Sequence, residues 1–252
     1  MCSSRPRGLD TDAILPSGDE LDRLLDVACQ VALVCGRLIV EDRPARVEFT
    51  TKSTEVDVVT VMDRRSEELA HAALRRLRPD DGIVGEEGLD HRGTGPISWL
   101  VDPIDGTVNY LYDHGHYAVS VAAVVGDPRV DGGFWPVAGA VLNPALGDLY
   151  RARRGGGAEL VRGDVTRLLR ATPATGLGLS LVGTGFSYDP GTRGRQGEAV
   201  ARLLPQVRDI RRLGGDDRVD RGAGAGAVSP LQSHGERFRR DCGECDGARG
   251  GG

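Results

Sequence analysis

No run of this 252-residue sequence is apolar for long enough to cross a bilayer. One of the longest stretches, Tyr117 to Val125, is nine residues, against the roughly 20 that a spanning helix needs. The first 18 residues lack the apolar core of a signal peptide, so a cytoplasmic protein is expected. Lysine is almost missing: Lys52 stands alone among 32 basic residues, and nowhere do basic residues concentrate. With a formal net charge of −5, no nucleic-acid or membrane partner held by charge is expected. Cysteine is sparse and odd in number, and only Cys242 and Cys245 have ligand-like spacing, with no second Cys/His pair to complete a zinc site. Cys2, Cys29 and Cys35 read as incidental thiols. Large apolar side chains nearly vanish after Gly214, where 39 residues hold 11 glycines and only Val219, Val228, Leu231 and Phe238 could pack, which is the composition of a disordered tail. The rest is ordinary globular chain, 39% hydrophobic overall. A chain of this length buries roughly 70% of its unfolded surface on folding, which leaves small-molecule chemistry as the default function.

Hydrophobic periodicity sketches the elements. Ser17-Gly-Asp-Glu20 reads as a capping box, followed at helical spacing by Leu21, Leu24, Leu25, Ala28, Val31, Ala32, Cys35, Leu38 and Ile39. Val56 to Met62 is β-rich, and Asp63 is expected to cap a second helix that buries Leu69, Ala70, Ala73, Leu74 and Leu77. Strands at Ile83-Val84 and Ser98 to Val101 run into Gly85-Glu-Glu-Gly88 and Asp102-Pro-Ile-Asp-Gly-Thr107, so two acidic clusters sit where strands end. Tyr117 to Val125, Val137 to Leu142, Asp148 to Ala152, Ala158 to Arg162 and Leu177 to Val182 read as further strands. A helical pattern covers Gly197 to Val207, with Pro205 cutting it short.

Asp102 and Asp105 lie three residues apart after an apolar strand, with Pro103 stiffening the turn. Carboxylate oxygens are the ligands a hard divalent cation prefers, and a site with few protein ligands leaves positions for water and phosphate oxygens. Glu86 and Glu87 could complete such a site. Asp-Pro and Asp-Gly are also ordinary turn signals and paired acids usually face solvent, so for either cluster alone the two readings weigh evenly. Asp57, a carboxylate inside a β-branched strand, adds a third element and makes the set more specific.

The ordered set of Lys52, Asp57-Val-Val-Thr60-Val-Met-Asp63, Gly85-Glu-Glu-Gly88 and Trp99-Leu-Val-Asp-Pro-Ile-Asp-Gly-Thr-Val-Asn-Tyr110 resembles the inositol monophosphatase family, the Mg²⁺-dependent, lithium-sensitive phosphatases of sugars and polyols. The likeness runs from about Asp19 to Leu213 and is most specific at Asp102–Thr107. Tyr117-Ala-Val-Ser-Val-Ala122, Gly139-Ala-Val-Leu-Asn-Pro144, Arg154-Gly-Gly-Gly-Ala158 and Gly183-Thr-Gly-Phe186 support it. It implies an α+β to α/β fold, a layered α-β-α-β-α sandwich. It also implies hydrolysis of a small polyol or sugar phosphate such as inositol 1-phosphate, with histidinol phosphate, fructose 1,6-bisphosphate and nucleotide 3′-phosphates as alternatives. By the same resemblance Glu86, Asp102 and the Ile104 carbonyl hold one Mg²⁺, and Asp102 and Asp105 hold a second. Asp57 and Thr107 orient the attacking water, the Gly106 and Thr107 amides bind phosphate, and the chain pairs as a homodimer. Glu87 is then an acid behind the ligands or at the surface, and Lys52 either reaches phosphate or sits in an exposed loop. His114 and His116 belong to the loop beside the site, because imidazole is a poor Mg²⁺ ligand, and Trp99 and Trp135 are packing residues.

The likeness stops after Arg208-Asp-Ile-Arg-Arg-Leu-Gly214. Family members continue there with a small-residue helix start, further strands and a Trp-Asp pair whose aspartate holds the second Mg²⁺, and Gly215 onward offers no counterpart. The expected organisation is a flexible N-terminus over 1–18, an incomplete phosphatase domain over 19–213 and a Gly/Arg-rich tail over 214–252. A frameshift near the codons for Leu213 to Gly215 is expected, and the nucleotide sequence would test it through an alternative frame that encodes a Trp-Asp pair. Two rivals stand beside the phosphatase: a catalytically impaired remnant that binds metal or phosphate, and an aspartyl-phosphate enzyme of the haloacid dehalogenase type. The second needs nucleophile and acid two residues apart, whereas Asp102 and Asp105 are three apart.

Overall fold

The first helix, α1 (Gly18–Glu41), starts where the capping signal places it. Ser17 Oγ accepts the Glu20 amide at 3.3 Å, and Asp19 and Glu20 put negative charge at the positive end of the helix dipole. The centre of its apolar stripe is fully inside: Leu24, Ala28, Val31, Ala32, Cys35 and Ile39 have no exposed surface, with Leu25 and Leu38 half-buried at its margins, and a side chain such as Leu24 gains about 1.5–3 kcal/mol from that burial. The computed structural model describes residues 15–51, 58–130, 133–170 and 176–211. Lys52, Asp57, Cys2, Cys242, Cys245, most of the expected flexible N-terminus and the whole expected tail lie outside these residues.

β1 (Phe49–Thr51) and β2 (Val58–Thr60) form a small antiparallel pair that delivers the chain into α2 (Val61–Leu77). Thr60, not Asp63, caps this helix. Its backbone is still extended as the strand ends, its Oγ1 accepts the Met62 and Asp63 amides, and Asp63 at the third helical position accepts the Thr60 amide in return. Both residue types cap helices well, and the strand's extended backbone ends at the earlier one.

Seven strands make the main sheet: β3 (Gly82–Gly85), β4 (Ile97–Asp105), β5 (Ala118–Gly126), β6 (Phe134–Asn143), β7 (Asp148–Arg153), β8 (Gly157–Arg162) and β9 (Val165–Leu169), in that spatial order. β3 and β4 are parallel and every later pair is antiparallel. β5 is buried on both faces over Ala118–Val125. Val119, Val121 and Ala123 join α1, α2, Trp99 and Leu142 in one large core, while Ala122 and Val124 pack with Leu100 and Phe134 in a separate cluster. That alternation is the strand's period of two. β9 has no counterpart in the sequence expectations. It is a mostly exposed edge, and burial therefore left no pattern in it to read.

Two prolines interrupt ladders, as a residue without an N–H must. The β5–β6 register shifts where Pro136 stands opposite Val124. In the β4–β5 pair the register steps from Asp102↔Ser120 to Asp105↔Ala118, so three residues of β4 advance against two of β5 around Pro103.

The expected strand over Leu177–Val182 is shorter than its apolar residues suggested. Gly176 begins a 3₁₀ turn over Leu177–Leu179, closed by the Leu179 amide on the Gly176 carbonyl, and only β10 (Leu181–Gly183) is strand. α4 (Pro190–Leu203) begins seven residues before the expected Gly197. Asp189 caps it by accepting the Thr192 amide at 2.8 Å, and Pro190 fits its first turn. β10 pairs in parallel with β11 (Asp209–Arg211) as a separate two-stranded sheet. Of the layered α-β-α-β-α sandwich that the resemblance implies, the described residues show the α+β part, two long helices over a mixed sheet.

Candidate active site

The parallel β3–β4 pair brings the two acidic clusters to one edge of the sheet. Gly85 stands opposite Val101, and the Glu86 amide donates to the Val101 carbonyl at 3.1 Å, so Glu86 leaves the sheet abreast of Asp102. The bulge takes Pro103 and Ile104 out of the pairing, and Asp102 and Asp105 are the paired residues on either side of it. Glu86 is exposed, Asp102 half-buried and Asp105 nearly buried, and the Ile104 side chain is anchored in the core. Asp102 Oδ1 is a buried atom without a hydrogen bond, although the residue is engaged elsewhere.

Beyond Asp105 the chain turns through Gly106 into α3 (Thr107–Leu111). Gly106 has φ +93°, the left-handed region, and a Cβ there would stand 3.1 Å from the His116 carbonyl oxygen. The five-residue helix is held from behind. Tyr110 is fully buried and donates its hydroxyl to the Ile39 carbonyl at 2.8 Å, and Arg43 donates to the Tyr110 carbonyl at 2.7 Å while its guanidinium sits 5.0 Å from the Tyr110 ring centre. Asn109 Nδ2 donates to the His116 carbonyl at 2.7 Å and closes the loop that carries His114 and His116. Burial pushes the Tyr110 phenol up to about 12, which keeps it a neutral donor.

Thr107 Oγ1 lies 3.1 Å from Asp63 Oδ1 and 3.0 Å from the Ile104 carbonyl oxygen. Asp63 is 1% exposed, and its other oxygen accepts the Thr60 amide at 2.8 Å and the Thr60 hydroxyl. Burial pushes the Asp63 carboxyl up to about 6, opposed by the Thr60 hydrogen bonds and reinforced by the charge of Glu87. Asp63, expected only as a helix cap, is thus set against Thr107 as well. Asp57, which the resemblance pairs with Thr107, lies outside the described residues.

The structure therefore gathers Glu86, Asp102, Ile104, Asp105, Gly106 and Thr107 at one sheet edge and adds Asp63 beneath them. Among the described residues no three His, Cys, Asp or Glu side chains stand close enough to enclose a metal ion. The donor chemistry still suits Mg²⁺, which binds through one or two carboxylates and keeps several waters. The Asp102 atom without a hydrogen bond is a donor of the right kind. Trp99 is fully buried, with its indole N–H on Asp81 at 2.9 Å, and Trp135 lies under the Arg154 guanidinium, so both pack as expected. Cys29 and Cys35 are free and buried, and burial pushes their thiols up to about 11 and about 12, which leaves them inert. No helix among the described residues is long and apolar enough to cross a membrane.

A mixed sheet with an acidic edge and a bulged Asp-Pro-Ile-Asp-Gly-Thr turn defines a class, and comparison with known proteins gives the family. The sequence pattern of the inositol monophosphatase family matches residues 20–220. An inositol-1-monophosphatase of Mycobacterium leprae is 42% identical over 168 residues, 65% of this chain and 55% of the relative. The crystal structure of the extragenic suppressor protein SuhB from Bartonella henselae matches with a TM-score of 0.69 at 27% identity, covering 86% of this chain and 84% of that one. An IMPase/NADP phosphatase complexed with Mg²⁺ and phosphate matches with a TM-score of 0.58 over 78% of this chain and 69% of that one, and at 22% identity it speaks for the fold alone. The chain belongs to the inositol monophosphatase family. It spans about half the length of the mycobacterial relative.

Proposed function

We propose that this chain is a Mg²⁺-dependent phosphomonoesterase acting on a small polyol or sugar phosphate. The observation that carries the reading is the Asp63–Thr107 pair, a buried carboxylate and a hydroxyl that also reaches the Ile104 carbonyl, in the bulged end of the strand that bears Asp102 and Asp105. Glu86, Asp102, the Ile104 carbonyl and Asp105 are the residues that would hold Mg²⁺, which when bound neutralises phosphate oxygens and makes a nearby water more acidic. The chain's own contribution is orientation. Above about pH 6 the ionised Asp63 accepts a hydrogen bond from the Thr107 hydroxyl, and this leaves an Oγ1 lone pair to accept a hydrogen bond from the attacking water. The water-orienting role that the resemblance gave to Asp57 thus passes to Asp63. The Gly106 and Thr107 amides open α3 and are the donors offered to phosphate.

Inositol 1-phosphate is the favoured substrate because the Mycobacterium leprae relative is an inositol-1-monophosphatase. Phosphate release from inositol 1-phosphate, histidinol phosphate, fructose 1,6-bisphosphate and a nucleotide 3′-phosphate, each titrated with Mg²⁺, tests the proposal. Release that needs Mg²⁺ and is fastest with inositol 1-phosphate supports it, and faster hydrolysis of another ester moves the substrate assignment. A second reading is a remnant that binds metal or phosphate without turnover. Mg²⁺ uptake with no phosphate release would select it.

A further inference from the structure

We infer that Glu67 is the positioning residue that fixes the Glu86 loop against the Asp102–Thr107 turn, so that metal affinity depends on a carboxylate that touches no metal. The inference rests on the metal reading of the site given above. Glu67 lies in α2, one helical turn beyond Asp63, and is 1% exposed. Its two oxygens take two different backbone donors, Oε2 the Glu87 amide at 2.6 Å and Oε1 the Leu89 amide at 2.7 Å. These amides lie on either side of Gly88, whose φ of +97° turns the loop back. The segment that carries Glu86 is thereby pinned at one end by the strand bond from its own amide to Val101 and at the other by Glu67. Glycine at position 85 is part of the device, because a Cβ there would collide with the Glu67 carboxylate.

The same face of α2 also reaches the second acidic segment. Ser66 Oγ donates to the Pro103 carbonyl at 3.4 Å, and Asp63 meets Thr107. One rigid helix therefore holds both acidic segments at a fixed offset, Glu86 through Glu67 and Asp102–Thr107 through Ser66 and Asp63. A loop hung only on its strand bond would leave Glu86 to be ordered by the ion itself, and the entropy of that ordering would come out of the binding free energy.

Two substitutions test this in the full chain. Glu67→Gln keeps size but offers one acceptor oxygen, so its NH₂ group faces a backbone N–H, donor against donor. Gly85→Ala keeps the carboxylate but displaces it. Hydrogen exchange without metal reports the loop through the Glu87 and Leu89 amides, with Ile83 and His91, which bond each other's carbonyls at 2.8 Å, as the internal reference. Mn²⁺ titration followed by electron paramagnetic resonance reports the site without turnover. The expected result is exchange about tenfold faster at Glu87 and Leu89 but not at Ile83 and His91, together with a Mn²⁺ dissociation constant raised about ten- to hundredfold, the usual cost of losing a residue behind the ligands. Unprotected Glu87 and Leu89 amides in the parent chain overturn the inference. So does a freed loop that binds Mn²⁺ as tightly as before, or an acceleration that includes Ile83 and His91 equally. A parent chain that takes up no Mn²⁺ refutes the metal reading and with it the affinity claim, while the amide exchange still judges the loop clamp.

Discussion

Replacing Asp63 by asparagine should remove a pH dependence that the parent carries in its folding stability. In the folded chain burial raises the Asp63 carboxyl from an ordinary 3.8 to about 6. At about 1.4 kcal/mol per pH unit, this is a penalty on the order of 3 kcal/mol for holding the charge inside. The sign follows from the raised value. Above about pH 6 the group is ionised in both states and the folded chain bears the whole penalty. As pH falls from 6 toward 4 the folded chain takes up a proton that the unfolded chain does not, and the penalty is relieved. Asparagine has no such transition. Its oxygen can still accept the Thr60 amide and its NH₂ can donate to Thr107 Oγ1, so the packing is kept. The assay is urea unfolding of both proteins in chelator between pH 4 and pH 8. The parent's stability relative to the variant should rise by about 2–3 kcal/mol toward acid, while phosphate release by the variant should fall, because Thr107 loses the acceptor that orients it. Parallel stability curves across this window would refute the assignment of a buried, charged Asp63.

Thr107→Ala should lower turnover with little change in the Mg²⁺ concentration needed for half-maximal rate, since the hydroxyl faces Asp63 and the proposed water rather than the ion. A large rise in that concentration would make Thr107 part of the metal site. Asp102→Asn should abolish phosphate release and weaken Mn²⁺ binding, because Asp102 is the carboxylate assigned to both ions, and retained activity would refute the two-ion assignment. Trp99→Phe should cost about 1–3 kcal/mol in a denaturant titration, as buried Asp81 loses its indole donor. A change below about 0.5 kcal/mol would mean that Arg78, 2.7 Å from the same oxygen, satisfies Asp81 alone.

How far the sequence could be read depended on burial. α1 was legible nearly to the residue, because its inward stripe is apolar and its cap is local. The central strands β5 and β6 were legible for the same reason, with β5 buried on both faces. Exposed β9 was invisible, and the apolar residues from Leu177 onward suggested a strand that the glycines at 176 and 178 turn into a 3₁₀ bend. The acidic turn was recognisable as a motif, but its β-bulge depends on the register of β5, a strand a dozen residues further on.

Asp63 and Glu67 show why the remainder of the site resisted reading. Met62, Asp63, Ser66, Glu67, Ala70 and Leu74 form one buried face of α2, apolar in its second half and, after Met62, polar in its first. Periodicity detects the apolar half and assigns the polar half to solvent or to capping. Yet a carboxylate turned inward is costly unless donors meet it. Here Thr60 supplies local donors to one Asp63 oxygen, and the other donors are the Glu87 and Leu89 amides and the Thr107 hydroxyl, 20 or more positions along the chain. The readable signal was the phase: Asp63, Ser66 and Glu67 continue the inward stripe of Ala70 and Leu74 at spacings of three and four. An inward acidic stripe on an otherwise amphipathic helix implies a partner that cannot itself be apolar. In this chain that partner is the pair of segments bearing the candidate ligands, which makes α2 the frame of the site and the acidic strand ends the parts it holds.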